Sequence, residues 1–222
     1  MENRFIDGRR IALFYCGAKN VPAVYAPVFE GDGSGIFSEC QKLGCAPFNL
    51  AVISCPDWDA DLSPWPCGKI LSSNDNFIGN AAFFAEWICG EVIPYAEEFF
   101  GNPSFRVAAG YSMAGLFSLY EPTVCDKFDR IVSASGSLWF PGFVKYIEKN
   151  DFKSKITKVY LSLGDREKIT KNKYMKNVES NTQSIYENFR SRKIETVFEL
   201  NPGNHFKDSD LRLSKGIKWI LD

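Results

Sequence analysis

Ser112 and His205 are the residues of this chain best suited to covalent chemistry. His205 is the sole histidine among 222 residues, so any imidazole chemistry must run through it. It lies in Asn201-Pro202-Gly203-Asn204-His205-Phe206, a short polar turn. Ser112 lies well upstream in Gly110-Tyr111-Ser112-Met113-Ala114-Gly115, at the end of an apolar run. A serine hydroxyl is a weak nucleophile until a base takes its proton, and the base must itself be oriented by an acid. The chemistry in prospect is therefore attack on an acyl carbon by a serine–histidine–carboxylate triad.

The serine turn meets the demands of a nucleophile elbow. The strand must end abruptly so that the hydroxyl stands clear, and the flanking residues must be small because the turn is tight. A helix must start at once, so that its N-terminal amides face developing negative charge. Gly110 and Ala114 meet the size demand, although the usual G-x-S-x-G pattern has glycine where Ala114 stands. The acid is expected after a later strand, in Gly164-Asp165-Arg166-Glu167. Glu167, three residues beyond the glycine, is slightly favoured over Asp165 directly after it. The oxyanion hole calls for two backbone amides, one from Met113 and one from the loop near Glu30 or Gly31.

These residues need strands and helices to position them. Arg9–Cys16 and Pro22–Phe29 read as strands around the turn Gly17–Asn20, an N-terminal hairpin. Phe48–Ser54 is a continuous apolar run, as a strand buried on both faces requires. Pro64 and Pro66 make the stretch 57–69 irregular. Residues 77–100 read as a long amphipathic helix that Pro94 kinks or divides in two. Further strands are expected at 105–109, 128–135, 156–163 and 194–200. Helices are expected at 113–120, 143–149, 173–190 and 208–221. This alternation predicts an α/β fold with a mostly parallel sheet covered on both faces, and a single domain over residues 1–222.

Composition excludes several classes. Hydrophobic residues make up 45% and charged residues 24%, the balance of a globular domain. Lys plus Arg is 26 against 27 Asp plus Glu, so there is no basic excess for a nucleic acid. No apolar run approaches the roughly 18 residues of a membrane span, and Met1–Phe5 has no apolar core of an export signal. The chain thus reads as cytoplasmic, with no membrane partner. The seven cysteines are odd in number and lack C-x-x-C spacing, so reduced thiols are expected rather than a disulfide framework. With one histidine and no close cysteine pairs, no metal and no other cofactor is expected. Self-association is left open.

The chain resembles the esterase family of α/β-hydrolases that includes enterochelin esterases, feruloyl esterases and S-formylglutathione hydrolase. The resemblance rests on Asp57-Trp58 with Ser63–Pro66, Gly110–Phe117, Ser133–Trp139, Ser162–Glu167 and Asn201–Phe206. These stretches span most of the chain in the family's order. The resemblance implies an α/β-hydrolase fold without a large lid domain. It further implies Ser112 as nucleophile, His205 as base and a carboxylate in the Gly164 loop. It also puts Trp65 and Trp139 at the mouth of the site as substrate-binding residues, with Arg166 and Lys69 as basic candidates. The expected activity is hydrolysis of a small-molecule carboxylic ester through an acyl-enzyme. Acyl transfer on the same triad is an alternative, and so is a non-catalytic binding protein, since fold alone does not carry function.

Overall fold

A computed structural model describes residues 1–70 and 72–222. Eight strands form one sheet: β1 (Glu2–Ile6), β2 (Arg9–Phe14), β3 (Ala23–Val28), β4 (Asn49–Ser54), β5 (Arg106–Tyr111), β6 (Arg130–Ala134), β7 (Lys158–Gly164) and β8 (Glu195–Asn201). Their spatial order is β1-β2-β4-β3-β5-β6-β7-β8, with every pair from β4 to β8 parallel. Period-2 alternation feeds both faces. Ile11 and Leu13 of β2 join Ala51 and Ile53 of β4 in one core, while Ala12, Phe14, Leu50 and Val52 join the other. Both faces are dry, which is why these strands read as unbroken apolar runs.

Two helices, α1 (Ser34–Lys42) and α8 (Ser209–Leu221), lie on one face. The remaining helices cover the other: α2 (Trp58–Leu62), α3 (Ala81–Trp87), α4 (Ile93–Phe100), α5 (Met113–Val124), α6 (Phe143–Lys149) and α7 (Val178–Ser191). Every residue of α5 from Met113 to Thr123 is buried, so it is a core helix and shows little amphipathic pattern.

Three expectations need correction. The N-terminal hairpin joins β1 to β2, not β2 to β3, and β2 runs antiparallel against β4. β1 is a largely exposed edge strand and so carries no apolar signature. At its turn Asp7 and Gly8 both have positive φ, 49° and 77°, as the tightest hairpins require. The long helix of residues 77–100 begins only at Ala81. A π-helical turn at Ile88–Val92 splits it and sets Pro94 in the first turn of α4, where a missing N–H costs nothing. Finally, Cys89 and Cys125 form a disulfide, while the other five cysteines are free. The partners stand 36 residues apart, one in the π-turn and one just past α5, so spacing alone could not pair them. No helix among the described residues is long and apolar enough to cross a membrane.

Glu121 in α5 is an exception to the apolar rule. Burial holds its carboxyl well above the usual glutamate range, and Oε1 has no hydrogen-bond partner among the described residues. The fold therefore favours the protonated acid. That contribution is complete below the ordinary carboxylate value and is lost as pH rises through the raised one. Glu121→Gln is expected to stabilise the protein at about pH 8 and to change little at about pH 4. Urea midpoints at the two pH values check this.

Candidate active site

The chain leaves β3 for β4 on one side, while β5 lies on the other side of β3. This reversal opens a crevice at the carboxyl ends of β3 and β5, where open α/β sheets bind ligands. The end of β5 delivers Ser112 and the loop after β3 delivers Phe29 and Glu30, all of which line one cleft of about 830 Å³.

Ser112 sits between β5 and α5 with φ 61° and ψ −124°, a conformation that costs a non-glycine residue about 1–3 kcal/mol. Its amide donates to Ala134 O at 3.2 Å, and its carbonyl accepts from Ser137 N at 2.9 Å and Leu116 N at 3.1 Å. These bonds hold the strained turn. A Cβ on Gly110 would lie 2.1 Å from the Ala114 carbonyl oxygen and 2.8 Å from its methyl. A methyl is tolerated at residue 114 because residue 110 has none. Met113 opens α5, so its amide is one of the donors that have no acceptor within the helix.

His205 spans the site. Ser112 Oγ lies 2.9 Å from His205 Nε2, and Glu167 Oε2 lies 2.8 Å from Nδ1. With its proton on Nδ1, donated to Glu167, the imidazole leaves Nε2 free to accept from the Ser112 hydroxyl. Tyr111 Oη donates to the His205 carbonyl at 2.5 Å, which fixes the loop.

The structure separates the two carboxylates of the Gly164 loop. Glu167 folds back so that Oε1 accepts from Gly164 N at 2.6 Å, and Oε2 then points at the imidazole. Asp165, the alternative triad acid, instead accepts from Gly203 N at 2.8 Å and so ties down the turn before His205. Burial raises the Glu167 carboxyl, but the hydrogen bond and charge of His205 and the Gly164 amide outweigh this and leave it below the usual glutamate value.

Sequence reasoning missed Arg212, in α8, which is only 2% exposed. Its Nη1 donates to Glu167 Oε1 at 3.2 Å, to Ser135 Oγ at 3.2 Å and to Tyr111 Oη at 3.4 Å, while Nη2 donates to Pro202 O at 3.1 Å. One guanidinium thus joins the acid, the strand that ends in the elbow and the histidine loop. The spacing of an arginine on the closing helix gives no hint of this.

Several other expected site residues are placed elsewhere. Trp65 donates from Nε1 to Pro141 O at 3.1 Å and packs among Phe140, Phe143 and Tyr146. Trp139 is buried against Phe77 and Phe140. Neither borders the cleft; Trp58 and Phe29 do, their rings 5.9 Å apart. Lys69 is turned to the Asp75 carbonyl at 2.6 Å, and Arg166 is likewise absent from the cleft wall. Glu30 lines the cleft, whereas Gly31 is set back from it, with its carbonyl accepting from Arg10. No cluster of three or more metal-ligating side chains occurs among the described residues.

No protein-family model matches the chain, and no curated protein matches it in sequence. Solved structures do resemble it. An IroE-like serine hydrolase from Shewanella oneidensis superposes with TM-score 0.79 at 18% identity, over 95% of this chain and 75% of that one. The siderophore hydrolase EstA from Aspergillus nidulans gives 0.72 at 19%, over 96% and 89%. The enterobactin esterase FES from Shigella flexneri gives 0.67 at 18%, over 96% of this chain and 55% of that one. At such identities the likeness speaks for architecture, and with the sheet order and elbow on the page the chain has the α/β-hydrolase fold.

Proposed function

We propose that this protein is a serine carboxylic-ester hydrolase. The observation that carries the reading is the continuous line from Ser112 Oγ to His205 to Glu167, 2.9 and 2.8 Å long, set on a strained elbow that opens into a cleft. Ser112 attacks the ester carbonyl while His205 takes its proton. Glu167 stabilises the imidazolium that forms. The Met113 amide and an amide near Glu30 hold the oxyanion. The imidazolium returns its proton to the leaving alcohol, and water then repeats the sequence on the acyl-enzyme. The similar structures named as serine, siderophore and enterobactin hydrolases agree with ester cleavage as the reaction class.

Turnover of short p-nitrophenyl esters is the test. Activity that survives both Ser112→Ala and His205→Ala would sink the proposal. Product analysis with competing alcohols and thiols separates hydrolysis from acyl transfer.

A further inference from the structure

The wall of the Ser112 cleft carries a charge pattern that the triad does not use. Glu30, Asp57 and Asp59 line it. A smaller adjoining pocket of about 250 Å³, which shares Glu30, Trp58 and Ser112 with the cleft, adds Asp210. Among the described residues, no lysine or arginine lines either space. None forms an ion pair with any of these four carboxylates among the described residues. The chain as a whole is almost balanced, 26 cations against 27 anions, so this is a local concentration of charge.

Helix ends account for part of it, since Asp59 and Asp210 lie in the first turns of α2 and α8. Asp57 stands at the N-cap of α2 but makes no side-chain capping bond. Among the described residues the Asp59 side chain accepts from the Asn76 amide alone, at a long 3.4 Å. Burial holds the Asp59 and Asp210 carboxyls above their usual range, the condition of acids without a cation beside them; Glu39 adds to the effect on Asp210. Arg10, on neighbouring β2, is engaged by the Gly31 carbonyl. The rings of Trp58 and Phe29, the latter 54% exposed, line the same cleft as these carboxylates. Aromatic faces among uncompensated carboxylates recognise an organic cation, by ring quadrupole and by charge together.

We propose that the ester taken by this cleft carries a positive charge, as an alkylammonium or quaternary ammonium group seated against Trp58 and Phe29 within reach of Glu30, Asp57 and Asp59. This rests on the reading of Ser112 as the nucleophile. It also specifies what the cleft rejects, since an anionic acyl group or alcohol would enter against three carboxylates.

The test compares three matched esters in each of two series: one with trimethylammonium, one with its tert-butyl isostere and one with a carboxylate at the same position. The charge sits on the acyl side in one series and on the alcohol side in the other. In at least one series, kcat/KM is expected to favour the ammonium ester over its isostere by about tenfold at low ionic strength. The carboxylate ester is expected to rank last. The ammonium-to-isostere ratio should fall towards one in Asp57→Asn/Asp59→Asn, and in Glu30→Gln as a second variant. Ratios near one in both series, or a preference unchanged in the variants, overturn the inference while Ser112-dependent turnover leaves the hydrolase reading standing. If no ester is turned over, the hydrolase reading fails, and calorimetry on Ser112→Ala protein decides the inference. Choline is expected to bind more tightly than dimethylbutanol, and equal binding overturns it.

Discussion

Ser112→Ala and His205→Ala are each expected to lower kcat for a p-nitrophenyl ester by about a million-fold, and the double variant is expected to be no worse than either single one. In the proposed mechanism the nucleophile and base act as a unit. Ser112 Oγ has its proton acceptor at 2.9 Å, and as the sole histidine His205 has no substitute. Removing one partner leaves the other without a task. What survives is the rate supplied by the oxyanion amides and binding alone, on the order of a thousand-fold over water. The Ser112 hydroxyl meets His205 and Ser137, so Ser112→Ala is not expected to disturb the fold, whereas His205→Ala takes a partner from the buried Glu167 carboxylate and is expected to lower stability. Thermal midpoints check both, within a few degrees of wild type for Ser112→Ala and lower for His205→Ala.

The second large effect separates two carboxylates on one loop. Glu167→Ala is expected to cost on the order of a thousand- to ten-thousand-fold in kcat with little change in KM. Asp165→Asn is expected to stay within about tenfold, because its carboxylate meets a backbone amide of the turn and not the imidazole. Arg212 belongs to the same prediction. It donates to Glu167 Oε1 from a position 2% exposed to solvent. Arg212→Met leaves a buried carboxylate with one donor fewer, which is costly. It should reduce kcat more than it raises KM, and it should lower stability, as should Glu167→Ala, which strands the buried Arg212 guanidinium. Steady-state kinetics beside urea denaturation resolves the two quantities. Equal losses from Asp165→Asn and Glu167→Ala would refute the assignment of roles within this loop.

Much of the architecture is legible in the chain because the physics is local. Strands buried on both faces must be apolar throughout, and Phe48–Ser54 announces β4 on that ground. The elbow is legible because Gly110 admits no Cβ, and the histidine because it follows β8 and precedes α8. The Gly164 loop narrows the acid to two residues, but the choice turns on a side chain folding back to the Gly164 amide, which no spacing rule encodes. Long-range partners are the part that is not legible. Trp65 and Trp139 share a chemistry with Trp58, and only packing decides that Trp58 meets the cleft while the others meet Phe77, Phe140 and Phe143. The Cys89–Cys125 bond depends on a π-turn that an apolar periodicity reads as plain helix. β1 escapes notice because an exposed edge strand has no apolar face to show.

The central claim is that Ser112 is a nucleophile activated by His205, and a fluorophosphonate tests it without knowledge of the natural ester. Incubation of folded protein with the reagent, followed by peptide mass spectrometry, is predicted to give one phosphonyl adduct per chain, on Ser112. That adduct should disappear in His205→Ala protein and in protein unfolded with urea beforehand. An unlabelled Ser112 in folded wild-type protein, or labelling that is indifferent to His205, would contradict the account.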